Sequence, residues 1–281
     1  MASPAERSST CHAKIPDFLV GPVGQPMPAV GLGTASHPFV EEEVRASVLT
    51  VLELGYRHID TAALYASERV VGEAMSEAVC CGIVASREEL FVTSKVWCTQ
   101  CHPELVLPSL KKSLRQDTYL SICRNLQMEY VDLYLIHWPM AVKPSKPHFP
   151  MKREDIVPMD LSGTWKAMEE CHRLGLAKTI GVSNFTTKKL QELLAIANIP
   201  PAVNQISLRW IYEQGASMVV KSLNRERLKE NIEIFDWELS DGDRLKIGRQ
   251  IPQRKLITVQ NLLCPEGISS VDISDVDVLE I

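Results

Sequence analysis

Residues 41–62, EEEVRASVLTVLELGYRHIDTA, read as one amphipathic helix running into one buried strand. Val44, Val48, Val51, Leu52 and Leu54 recur at the three- and four-residue spacing that lines one helical face. Three glutamates occupy the first turn, where the helix dipole favours negative charge, and Gly55 follows the last apolar position as a stop signal. Residues 57–62 then form a short run of the kind found in strands covered on both faces. The unit repeats. Strand-like runs at 57–62, 90–96, 130–137, 179–182, 202–205 and 218–220 alternate with helical segments near 68–80, 103–114, 161–174, 186–197, 206–214 and 225–233. Upstream, residues 18–20 and 28–34 lie among Gly-Pro turns and read as a small hairpin followed by a first buried strand. Strands and helices alternating about every 30 residues specify a parallel α/β fold of the TIM (β/α)8 barrel type. No GxGxxG follows the first strand, which argues against an open doubly wound nucleotide fold. Seven barrel strands are recognisable, so the barrel is expected to be incomplete.

The composition permits such a fold and excludes others. At 281 residues, with 45% hydrophobic and 23% charged, the chain can bury one large core. Residues 1–15 read as a polar, disordered tail, 16–250 as the barrel domain, and 251–281 as a separate C-terminal segment, acidic from Ser269 onward. A net charge of -5 gives no field that attracts nucleic acid or an anionic membrane. No run approaches the roughly 18 apolar residues of a membrane span, and the first residues lack the apolar stretch of a signal peptide, so the cytosol is the expected location. A monomer is the default expectation. The eight cysteines follow no framework spacing and are expected as free thiols. Cys98-Thr99-Gln100-Cys101-His102 has the CxxCH form of haem attachment, but it has neither an export signal nor a second ligand pair nearby. It reads as a strand-to-helix loop, and no metal site is expected.

In a barrel of parallel strands, chemistry sits at the C-terminal ends. Reading those ends in order gives Asp60 with Tyr65 just beyond, then Lys95, then His137 before Trp138 and Pro139. Taken singly, each has a plainer reading: Asp60 a turn or cap, Tyr65 partly buried packing, Lys95 a surface cation, His137 a satisfied core histidine. Together they make a set able to reduce a carbonyl. Hydride addition creates an alkoxide that needs a proton, and a tyrosine of pKa about 10 is a slow donor unless its phenolate is stabilised. A buried ammonium does that, an aspartate keeps the ammonium charged, and a histidine orients the carbonyl. Trp97 and Trp138 are candidate walls of an apolar substrate pocket.

Three segments carry a resemblance: Gly55-Tyr56-Arg57-His58-Ile59-Asp60-Thr61-Ala62, Ile180-Gly181-Val182-Ser183-Asn184-Phe185, and Val220-Lys221-Ser222. In sequence and order they resemble the aldo-keto reductase family, over roughly residues 20–250, and residues 97–108 and 168–171 are similar to its plant NADPH-dependent members. The resemblance implies an NADP-dependent oxidoreductase acting on a small-molecule aldehyde or ketone, with Tyr65 as general acid and Asp60, Lys95 and His137 completing the tetrad. It implies that Ser183, Asn184 and Gln205 hold the nicotinamide carboxamide. Lys221, Ser222, Arg227 and Asn231 take the adenosine end, where a lysine and an arginine suit a 2'-phosphate and favour NADPH.

Two departures from the resembled pattern stand out. Residues 116–124 are extra, between the third helix and fourth strand, and are expected as a surface bulge. After Gln205 the chain passes at once to Ile206-Ser207-Leu208-Arg209-Trp210. The family has a further helix there, a seventh strand ending in the tyrosine that stacks on the nicotinamide, and a loop over the pyrophosphate. The shortfall is about sixty residues, two βα units at about 30 each. The alternative reading is therefore an inactive splice or gene-model variant acting at most as a cofactor-binding or regulatory barrel.

Overall fold

Parallel strands buried on both faces organise the molecule. The computed structural model describes residues 15–114, 125–144, 153–205, 218–220 and 224–232. An antiparallel hairpin comes first, β1 (Asp17–Val20) against β2 (Gln25–Pro28), turning through Gly21 and Gly24 at positive φ. The main sheet begins with β3 (Val30–Gly33), β4 (His58–Asp60), β5 (Phe91–Val96) and β6 (Val131–Ile136). After a short hairpin of β7 (Ala141–Val142) and β8 (Ile156–Val157), it resumes with β9 (Ala177–Ser183), β10 (Asn204–Gln205) and β11 (Met218–Val220). Every pairing in it is parallel. All residues of β5 and β6 are buried, as strands sandwiched between a barrel interior and a helical shell must be.

The strand order is β10-β9-β6-β5-β4-β3-β11. Each strand lies beside its predecessor, except that the last returns to pair with the first. A sheet that adds strands in sequence order and ends beside its own start has to curl, which is the barrel topology expected from the sequence. Among the described residues this sheet has seven strands, the number of apolar runs in the sequence. Among the described residues β10 and β11 do not pair, so the curl is not closed.

Helices cover the outside: α1 (Glu41–Glu53), α2 (Glu68–Cys80), α3 (Pro103–Leu114), α4 (Leu161–Arg173), α5 (Thr187–Leu194) and α6 (Arg225–Glu230). The stripe predicted for the first of them is the buried face, with Val44, Val48, Val51 and Leu52 inside. Ile15, the first described residue, is buried too. The extra residues 116–124, the helix read at 206–214 and the segment 251–281 lie outside the described residues. The chain nevertheless leaves and re-enters that first gap at neighbouring points, since the Leu126 and Met128 N–H groups donate to the Ser113 and Leu114 carbonyls at 2.9 and 3.3 Å. Cys98–Gln100 is a 3-10 turn between β5 and α3, its cysteine and Cys101 are buried free thiols, and His102 Nε2 hydrogen-bonds the Val142 carbonyl at 2.8 Å. Among the described residues, no group of three or more His, Cys, Asp or Glu is placed to hold a metal, and no helix is long and apolar enough to cross a membrane.

Close approach of β3 and β4 depends on a missing side chain. A Cβ on Gly31 would lie 2.7 Å from the His58 ring. Gly31→Ala is therefore expected to lower stability by about 1–3 kcal/mol through overpacking, a fall in Tm of a few degrees readable by thermal unfolding.

Candidate active site

The parallel register gathers the polar ends of four strands. Asp60 ends β4, and Lys95 is the penultimate residue of β5, facing Leu135 of β6. His137 directly follows β6, and Ser183 ends β9 in register with Gln205 of β10. Tyr65 closes a 3-10 turn, Ala63–Tyr65, that leads from β4 into α2.

Lys95 is the centre of the arrangement. It is 1% exposed, and its ammonium donates to Asp60 Oδ1 at 2.5 Å and to the Thr61 carbonyl at 3.1 Å, and it lies 5.1 Å from the centre of the Tyr65 ring. A carboxylate and a carbonyl thus take two of its three N–H groups. The Tyr65 hydroxyl lies 3.3 Å from His137 Nε2, and Trp97 meets the His137 ring edge-on with centroids 5.2 Å apart.

Burial and charge compete at each group. Burial alone would lower the Lys95 pKa, but the Asp60 carboxylate and Tyr65 outweigh it, and the ammonium is held above its usual range. For Tyr65 burial raises the pKa and Lys95 opposes it; burial prevails, so the phenol stays protonated at neutral pH. His137 is driven well below its ordinary value, first by burial and then by Lys95, so it is neutral.

Other residues singled out in the sequence fall in different places. Ser183 is buried, while Asn184 is half-buried at φ 62°, the left-handed region that asparagine tolerates better than most residues. The Asn184 amide nitrogen donates to the His137 carbonyl at 2.9 Å and to Ser183 Oγ at 3.0 Å, tying the end of β9 to the end of β6. Trp97 and Trp138 are buried in one cluster with Cys98, Met140 and Val142, against Leu64 and Ile156. Arg227 is exposed on α6 and Asn231 is half-buried past its end, while the Tyr56 hydroxyl donates to the Leu228 carbonyl of that helix at 2.8 Å. Lys221 and Ser222 lie outside the described residues. Sequence reasoning missed Glu68, which is buried and accepts from Ser94 Oγ at 2.8 Å and Asn125 Nδ2 at 3.3 Å, and the buried hydroxyls of Thr34, Thr61 and Ser67. The available signal was three polar residues, Thr93-Ser94-Lys95, inside an otherwise apolar strand. A cavity of about 490 Å³ opens at the opposite, N-terminal ends of the strands, among Arg57, Glu88, Glu89, Phe91 and Asp132, away from this chemistry.

A curled parallel sheet with an Asp-Lys-Tyr-His set at the C-terminal strand ends defines a barrel oxidoreductase of the carbonyl-reducing kind. Residues 29–208 match the aldo/keto reductase family, and the chain belongs to that family. It is 42% identical over 290 residues to deoxymugineic acid synthase 1-D of Triticum aestivum, covering 82% of this chain and 89% of that protein. It is 41% identical over 302 residues to NADPH-dependent codeinone reductase 1-4 of Papaver somniferum, covering 86% of this chain and 91% of that protein. A crystal structure of a Bombyx mori aldo-keto reductase in complex with NADP superimposes with a TM-score of 0.73 at 29% identity, over 84% of this chain and 93% of that one. In the wheat alignment, 82% of 281 residues is about 230, yet the alignment runs over 290. About 60 positions thus hold no residue of this chain, the size of the shortfall read after Gln205.

The buried histidines set a pH dependence of stability. His58 is lowered to about 4 by burial, with Asp60 opposing, and His137 is lowered as well. A base whose pKa is depressed by folding binds more protons when unfolded, so stability is full above the unfolded value near 6.5 and is lost as pH falls toward 4. His58 alone accounts for about 3 kcal/mol across that window. Urea unfolding at pH 7 and pH 4 measures the difference, and His58→Gln is expected to flatten it.

Proposed function

We propose that this protein reduces an aldehyde or ketone to the alcohol with NADPH, Tyr65 acting as general acid. The observation that carries the reading is the buried Lys95 ammonium, held by Asp60 and set against the Tyr65 ring. The barrel domain is taken to run over residues 16–250. The plant reductases and the NADP-bound silkworm structure support the choice of cofactor. So does the donor set. With its amide nitrogen engaged by His137 and Ser183, Asn184 offers an acceptor oxygen suited to a carboxamide N–H. Gln205 stands beside Ser183 in register. Arg227 is an exposed guanidinium for the 2'-phosphate, with Lys221 and Ser222 completing that end by sequence. Asn231, half-buried just past α6, is assigned the edge of that site.

When bound, the reduced nicotinamide supplies the hydride that adds to the carbonyl carbon. The Tyr65 hydroxyl donates its proton to the oxygen as the C=O π pair moves onto it, leaving a phenolate beside the Lys95 ammonium. Lys95 stabilises that phenolate, and Asp60 keeps Lys95 charged throughout. His137 Nδ1 is buried with no hydrogen-bond partner. A buried N–H without a partner is rarer than an unsatisfied acceptor, so the proton of the neutral ring is assigned to Nε2. From there it points at Tyr65 and the carbonyl oxygen, leaving the Tyr65 proton free to transfer. Trp97 and Trp138 wall the mouth and favour a carbonyl with an apolar flank. The described cysteines are free thiols, the state a reducing cytosol maintains, and a monomer there completes the reading.

One observation favours a second reading, a cofactor-binding barrel without turnover: the alignment with the wheat relative leaves about 60 positions that hold no residue of this chain. Quenching of tryptophan fluorescence by NADPH, read with NADPH oxidation against a panel of aldehydes and ketones, separates the two. Binding with turnover supports the reductase, and binding alone supports the second reading. Under the first, Tyr65→Phe is expected to lower kcat at least about 100-fold with KM little changed. The parent rate should hold from neutral to mildly alkaline pH, because burial keeps Tyr65 protonated there. Full turnover by Tyr65→Phe would remove Tyr65 from the acid role.

A further inference from the structure

Ser67 is the N-cap of α2, where a serine side chain ordinarily accepts from the first free N–H groups of the helix. It makes no such bond. Its hydroxyl is fully buried and lies 2.9 Å from Thr34 Oγ1 and 3.0 Å from Thr61 Oγ1. Counting protons gives this chain of hydroxyls a direction. Thr34 donates its single proton to the Asp60 carbonyl at 3.1 Å, so toward Ser67 it can only accept. Ser67 therefore donates to Thr34 and, its proton used, accepts from Thr61. The order is Thr61 to Ser67 to Thr34 to the Asp60 carbonyl, with no hydroxyl proton left over.

The ends of this relay are the two residues that hold the ammonium. Lys95 donates to the Asp60 carboxylate and to the Thr61 carbonyl. Backbone bonds brace the same corner: the Thr34 N–H donates to the Asp60 carbonyl at 3.0 Å and the Thr61 N–H to the Thr93 carbonyl at 2.9 Å. Between Tyr65 and Ser67 stands Ala66 at φ 57°, a left-handed conformation that alanine keeps only when its surroundings impose it. The turn bearing Tyr65 is thus held at one end by β4 and at the other by Ser67.

We infer that Ser67 is a positioning residue, its hydroxyl anchoring the 63–67 turn to the ends of β3 and β4 and so setting Tyr65 against Lys95. The inference rests on the acid role of Tyr65 proposed above, but the anchoring itself can be measured without turnover. Three variants of the full chain test it: Ser67→Ala and Thr34→Val, which break the relay, and Thr34→Ser, which keeps the hydroxyl. The first two are expected to lower kcat about 10- to 100-fold, with KM and NADPH affinity within about twofold and a larger solvent deuterium effect on kcat, because the proton donor is misplaced. Thr34→Ser is expected to restore most of the rate. Amide exchange in a peptide spanning 62–68 should quicken about tenfold in the first two and stay at the parent rate in the third. Should Ser67→Ala not fold, Thr34→Val carries the comparison. Parent-like kcat and isotope effect in the relay-breaking variants of an active parent overturn the inference. If the parent shows no turnover, the proposed function fails, and exchange decides alone: acceleration confined to 62–68 supports the anchoring, and unchanged exchange overturns it.

Discussion

A lysine ammonium with 1% of its surface exposed stays charged only when it is hydrogen-bonded and one of its acceptors is itself charged. Lys95 meets both conditions, and the rest of the mouth is arranged around them. Removing water from two charges is unfavourable by several kcal/mol per ion before their attraction is counted, so the geometry has to be held rather than found. Gly31 lets β3 come close enough to β4, and the register steps by two residues per strand, from Asp60 opposite Thr93, to Lys95 opposite Leu135, to His137. The charge in turn makes Tyr65 different from an ordinary buried phenol, because burial and Lys95 act on it in opposite directions.

That opposition has a functional side. Burial keeps the phenol protonated, which a proton donor requires before the reaction. Lys95 favours the phenolate, which the donor becomes afterwards. A group that is neutral at rest and stabilised when charged is complementary to the later stage of proton transfer more than to the earlier one, and differential stabilisation of this kind is what accelerates a step. Neutral His137 adds a hydrogen bond at the same oxygen without adding a second positive charge beside Lys95.

Much of this is legible in the sequence because barrel strands are short apolar runs, and a polar residue at the end of such a run is conspicuous. Asp60, Lys95 and His137 stand out for that reason, and Asn184 follows a run of the same kind. Ser67 does not stand out, since a serine ahead of a helix reads as a cap. Its actual partners are 33 and 6 residues away in the chain, and only the curl of the sheet brings them together. Arg227 and Asn231 illustrate a second limit. Both read as polar residues of one short helix, yet one is exposed and the other half-buried past the helix end. The net direction at Tyr65 is likewise beyond the sequence, which shows that a lysine is near but not how much water burial excludes.

Among the described residues, the strand edges left unpaired fall on one side of this centre. Strand order places β3, β4, β5 and β6 consecutively, so Asp60 and Lys95 stand on strands with a parallel neighbour on each side, Tyr65 on the turn that follows β4, and His137 just past β6. The edges lie at β10 and β11, the strands that end in Gln205 and lead to Lys221. A strand at a sheet edge leaves the N–H and C=O groups of one side without a strand partner. On the proposed reading, proton transfer and cofactor holding are borne by different strands of one sheet. A shortfall of about two βα units after Gln205 falls at the strands proposed to hold the dinucleotide, not at those that gather Asp60, Lys95 and His137.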